Sequence, residues 1–124
     1  MITEDYVSFE TAKLLKEKGF EERIRSWYDN NGVFHEEGCR MSNSDCLPPT
    51  VMAPTLQMVM KWLREEKGIA AVPILSSVLD NEKFLWDIEI TVAKTNENYH
   101  QGWIYESYEQ AVEAAIKYSL ENLI

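Results

Sequence analysis

The sequence is poor in the residues from which most catalytic and ligand-binding signatures are built. It holds two histidines, two cysteines, five glycines and four prolines. The glycines, at positions 19, 32, 38, 68 and 102, are isolated, which excludes a glycine-rich loop that cradles a phosphate. Basic residues are scarce too, 12 against 21 acids, for a net charge of −9. The acids are spread evenly, ten with six bases over residues 1–50 and eleven with six over residues 51–124. Without a dense basic patch nothing marks a site for a phosphate backbone, so no nucleic-acid partner is expected. No apolar run approaches the roughly 20 residues that span a bilayer. The opening MITEDYVSFE carries acids where a secretory leader carries bases. The expectation is a cytoplasmic protein with no membrane partner, in which Cys39 and Cys46 are free thiols. Their spacing of seven leaves a small disulfide ring as the alternative.

What the sequence does have is enough apolar residue, 45% of 124, to fill the core of one ordinary domain. Its organising stretch is Pro54–Gly68, PTLQMVMKWLREEKG. At 100° per residue, Leu56, Met58, Val59, Met60, Trp62 and Leu63 cover an apolar arc of roughly 200°, wider than one sheet contact needs. A helix touching two layers is expected there, with Leu56, Val59, Met60 and Leu63 in the core and Met58 and Trp62 at the second contact.

Around it the chain reads as α+β. A first helix opens at Ser8, a good N-cap, and closes at Gly19, with Phe20 folding back on Leu15 in a Schellman motif. Residues 23–37 read as a β-hairpin turning at Asn31-Gly32, with Asp29-Asn30 as the other turn the spacing permits. Residues 38–53, rich in Ser, Asn and Pro, read as an irregular connection. Residues 69–79 predict an apolar strand that Pro73 confines to a sheet edge or a bulge. In 83–93 Phe84, Trp86, Ile88, Ile90 and Val92 alternate with polar positions, a one-faced antiparallel strand. A turn over KTNENYHQG and a third strand at Trp103-Ile104-Tyr105 follow. Ser107 and Gln110 then form the capping box of a last helix. The expected architecture is a single α+β domain, 1–124: a helix–β-hairpin unit (1–37) followed by a helix–three-stranded antiparallel sheet–helix unit (54–124), joined by loop 38–53.

Helix–three strands–helix is also the order of double-stranded-RNA-binding domains, but here the last helix presents Glu109, Glu113 and Glu121 where such a domain needs lysines. His35, Cys39 and Cys46 are spaced H-x3-C-x6-C, and His100 lies far along the chain. Paired knuckles are missing, so a metal site or a thiol–imidazole enzyme built on His35/His100 with Cys39/Cys46 stands as an alternative only. No catalytic, cofactor or metal residue is assigned from the sequence. Four tryptophans, six tyrosines and five methionines exceed what such a core needs, and the candidate interface residues are Met58, Trp62, Trp27, Tyr28, Tyr99 and Trp103.

Three phrases, EDYVSFETAKLLKEKGF, APTLQMVMKWLREEKGI and SYEQAVEAAIKYSLENLI, resemble a group of small uncharacterised proteins of Bacteroidales genomes and their prophages. The resemblance covers both ends and the central helix. It implies shared architecture and a phage-related setting, and it brings no activity or site residue. The functional expectation is a non-enzymatic protein that binds another protein or a second copy of itself. An acidic mimic of nucleic acid that blocks a basic partner is the other binding alternative.

Overall fold

The computed structural model describes residues 2–79, 81–100, 102 and 104–124. It divides into two compact units, Met1–Thr55 and Leu56–Ile124. Each has helices and a three-stranded antiparallel sheet, and the fold is α+β.

In the first unit helix α1 spans Phe9–Glu17. Ser8 caps it by accepting the Thr11 N–H at 3.2 Å. At the other end Gly19 takes φ +87°. That conformation lets Phe20 N–H reach the Leu15 carbonyl (2.9 Å) and Gly19 N–H the Lys16 carbonyl (3.3 Å), the two bonds of a Schellman motif. Strands β1 (Trp27–Tyr28) and β2 (Phe34–His35) form the expected hairpin. Its turn differs from the expected Asn31-Gly32 pair. Asp29 and Val33 close a three-residue loop, and of those loop residues only Gly32 takes a positive φ, +75°. The Asp29 carboxylate sets this length by accepting N–H groups from Asn31 and Val33 at 2.8 and 3.1 Å.

The expected connection at 38–53 is instead part of this unit. Met41 and Ile24 exchange two backbone bonds, and β3 (Val51–Met52) pairs with β1, giving sheet order β2-β1-β3. Between them a 3₁₀ turn, Asn43–Asp45, carries the buried Asn43. Its amide donates to the Phe20 carbonyl and accepts from the Met52 N–H, both at 2.9 Å. One side chain thereby ties the end of α1 to the third strand.

In the second unit α2 (Leu56–Lys67) and α3 (Tyr108–Asn122) pack on β4 (Ile69–Leu79) and β5 (Lys83–Val92) and on each other. The wide apolar arc of α2 is spent on these two neighbours, with Leu56, Val59, Met60, Trp62 and Leu63 buried. The third strand is β6, Glu97–His100, in order β4-β5-β6. The expected strand at 103–105 is reduced to one bridge, Tyr105 to Trp86, and Trp103 lies outside the described residues. Asn96, at φ +59°, turns the chain into β6 two residues after Lys94, early in the stretch read as turn.

Pro73 sits on edge strand β4, and a bulge follows between Leu75 and Ser77. Trp86 exchanges both of its backbone bonds with Tyr105, so its polar groups point away from β4. Leu75, opposite Trp86, is then in a non-hydrogen-bonded pair, and by alternation so is Pro73, opposite Ile88. The nitrogen without a hydrogen therefore faces the open edge, where it costs no ladder bond. No helix among the described residues is long and apolar enough to cross a membrane.

Candidate functional site

Two places offer more than a solvated surface, one in each unit. In the first unit the hairpin and the 38–53 segment enclose a cleft of about 460 Å³, lined mostly by apolar groups that include Trp27, Met41, Leu47 and Met52. Trp27 is fixed there from two sides. Its ring stacks on His35 at 4.1 Å and 13°. Gly38 packs on its edge so closely that a Cβ would stand 2.9 Å from Nε1 and 3.1 Å from the Arg25 carbonyl oxygen. His35 is in turn held by Asp29, Nε2 to Oδ2 at 3.0 Å.

Cys39 and Cys46 both line the cleft and both are free thiols, Cys39 exposed and Cys46 buried. Burial pushes the Cys46 thiol up from its ordinary value. It remains a protonated donor, whose single hydrogen has Ser42 O at 3.4 Å and Met52 Sδ at 3.2 Å as alternative acceptors. An activated nucleophile needs the reverse, an electropositive surrounding that favours thiolate. Asp45 on the rim is committed to Ser42, whose N–H and hydroxyl it accepts at 3.2 and 3.1 Å.

Three carboxylates that order these loops sit below their usual range. Asp29 is lowered by the hydrogen bond from His35 and then by the Val33 and Asn31 amides. Asp45 is lowered by the backbone and side chain of Ser42, and Glu21 by hydrogen bonds from Ser44. Depressed carboxylates stabilise fully above the unfolded value of about 4 and lose that contribution as pH falls through the folded values. The first unit is therefore expected to weaken below about pH 4. Denaturant unfolding followed at several pH values should show the drop, and Asp29→Asn should shrink it. An unchanged profile in that variant would remove Asp29 from the account.

In the second unit the sheet outruns its helices. The 11 residues of β4 extend about 36 Å at 3.3 Å each, whereas the 15 residues of α3 extend about 22 Å. The core face of the sheet, Ile90, Ile88 and Trp86, is covered as far as Tyr108, whose ring meets Trp86 edge-on at 5.3 Å. Beyond that point the same face continues through Phe84, Val78 and Leu75, which are 58%, 48% and 49% exposed. Phe84, expected to point inward, does lie on the inner face, but the helices end before reaching it.

The sequence-derived interface residues fall in different places. Trp27 lines the cleft. Tyr28 is locked in an aromatic cluster with Phe9 and Phe34, its hydroxyl donating to the Val7 carbonyl. Trp62 is 6% exposed, with Lys67 Nζ 5.4 Å from its ring centroid, and it belongs to the core. Met58 is 38% exposed. Tyr99 is half-buried against Tyr118 and donates its hydroxyl to Glu97, a bond that raises its pKa. His100 pairs with Asp87 on the opposite face of the sheet from Tyr99. Among the described residues no three His, Cys, Asp or Glu side chains cluster as metal ligands. Sequence reading missed Phe84, Val78 and Leu75 as surface, although comparing strand length with helix length would have found them.

Comparison with protein-family models, with curated proteins and with solved structures gives no match.

Proposed function

We propose that this is a non-enzymatic protein that works by self-association through the outer half of the β4–β5 hairpin. One observation carries the reading: Leu75, Val78 and Phe84 continue the core face of the sheet past the last helix contact, half open to solvent. These three leave about 300 Å² of contiguous apolar surface per copy, the scale at which a patch on a single chain is commonly functional. The occupant that fits is a second copy, whose identical strip of Leu75, Val78 and Phe84 is apolar and uncharged, in a two-fold arrangement that is self-complementary. Small contacts of this kind are weak, with a dissociation constant on the order of 10–100 μM. The reading keeps the cytoplasmic, phage-related setting expected from the sequence.

Charge supplies the discriminating condition. Two copies at −9 each repel, so added salt should strengthen self-association, whereas it would weaken binding of a basic partner. Sedimentation velocity from about 5 to 300 μM chain should show a concentration-dependent dimer that salt favours. The pair Val78→Ser, Phe84→Ser should weaken it at least about tenfold, since each side chain contributes about 1 kcal/mol or more on burial. A monomer at the highest concentration, or a double variant that dimerises as well as the native chain, overturns the proposal.

A further inference from the structure

The first unit contains four described sulfur-bearing residues, Cys39, Met41, Cys46 and Met52, and all four line the one cleft. They come from separate parts of a 14-residue stretch that folds around Asn43, so their meeting is a product of the fold and not of adjacency. At the floor, Cys46 Sγ and Met52 Sδ are 3.2 Å apart, both buried, in a thiol-to-thioether hydrogen bond. Of the two carboxylates on the cleft wall, Asp45 holds Ser42 and Glu37 is the other, while His35, stacked on Trp27, holds Asp29.

We propose that this cleft binds one soft monovalent metal ion, Cu(I), through the Cys46 thiolate and the Met52 thioether, with the Met41 thioether as third donor. With metal–sulfur bonds of about 2.3 Å a three-coordinate ion holds its sulfurs about 4 Å apart, so this pair would have to part by only about 1 Å to admit it. An all-sulfur set of thiolate and thioethers selects Cu(I) over harder ions that require imidazole or carboxylate. The step is a simple exchange: the S–H bond of Cys46 breaks, the S–Cu bond forms, and the proton leaves to solvent with no change in oxidation state. Trp27, on the wall of the same cleft, supplies a spectroscopic witness.

The test is competition of the full chain against Cu(I) buffered by bicinchoninate, without oxygen, with tryptophan emission recorded alongside. One Cu(I) per chain is expected, with an emission change that Trp27→Phe removes. Cys46→Ser should abolish the site. Because that change touches the core, the pair Met41→Leu, Met52→Leu, which keeps volume, is the second arm and should weaken binding at least about tenfold. If the methionine pair binds as tightly as the native chain, or if Cys39→Ser alone abolishes binding, the ion is held by an exposed thiol and the proposal fails. Neither result bears on the hairpin dimer.

Discussion

Replacing Asn43 by aspartate is expected to remove about 3–5 kcal/mol of folding free energy at pH 7, enough to unfold much of the first unit. Asn43 is 1% exposed and uses both ends of its amide: Nδ2 donates to Phe20 O, and Oδ1 accepts from Met52 N–H. Asn43→Asp keeps the acceptor and loses the donor. An ionised carboxylate would place a buried charge against the Phe20 carbonyl oxygen. The folded state avoids this only by protonating the group, which raises its pKa above the unfolded value of about 3.9. The penalty is full at neutral pH and shrinks as pH falls towards that unfolded value, where the acid O–H replaces the lost donor. Denaturant titrations at pH 7 and pH 5 should show the variant recovering part of its loss on acidification while the native chain does not. Amide exchange at Met52 should be faster in the variant. A loss below about 1 kcal/mol at pH 7 would mean that the bridge does not hold the 38–53 segment.

Leu63→Ala is expected to cost about 2–5 kcal/mol, with roughly 24 cal/mol for each Å³ of cavity that fails to collapse. Leu63 is fully buried on α2, one turn from the equally buried Val59, in the layer between α2, β4 and α3. Lys61→Ala on the exposed side of the same helix should stay within about 0.5 kcal/mol. Thermal or denaturant unfolding of the two variants side by side decides it, and near-equal losses would mean that the arc of α2 is not its buried face.

The helices were legible in the sequence because their signals are local. Ser8, Gly19 with Phe20, Gly68 and Ser107 mark ends that depend on backbone groups only a few residues away, and each lies at or next to an observed helix terminus. The two long strands were legible for a similar reason, since alternation and the Pro73 restriction belong to the strand itself. The 38–53 segment was misread because its order comes from Asn43, 23 residues from the carbonyl it binds. Polar composition cannot distinguish a side chain that serves distant backbone from one that faces water. Strand β6 was missed because ENYH has little strand propensity and is held by pairing with β5. At the candidate sites Trp27, Cys39 and Cys46 were picked out from the sequence. Met41 and Met52 lie in the stretch that reads as an irregular connection, and their meeting with the thiols needed the pairing of β3 with β1.

The placement of Pro73 bears on the self-association proposed above. An apolar ribbon with an open edge is a template for unlimited polymerisation, each added strand offering a fresh edge to the next. Here the missing hydrogen of Pro73 interrupts that edge where the ribbon leaves the helices, and the bulge after Leu75 bends the remainder. Growth along the hydrogen-bonding direction is blocked, while the face bearing Val78 and Phe84 stays available. The proposed contact through that face would end with two copies, leaving no fresh edge from which a fibre could grow.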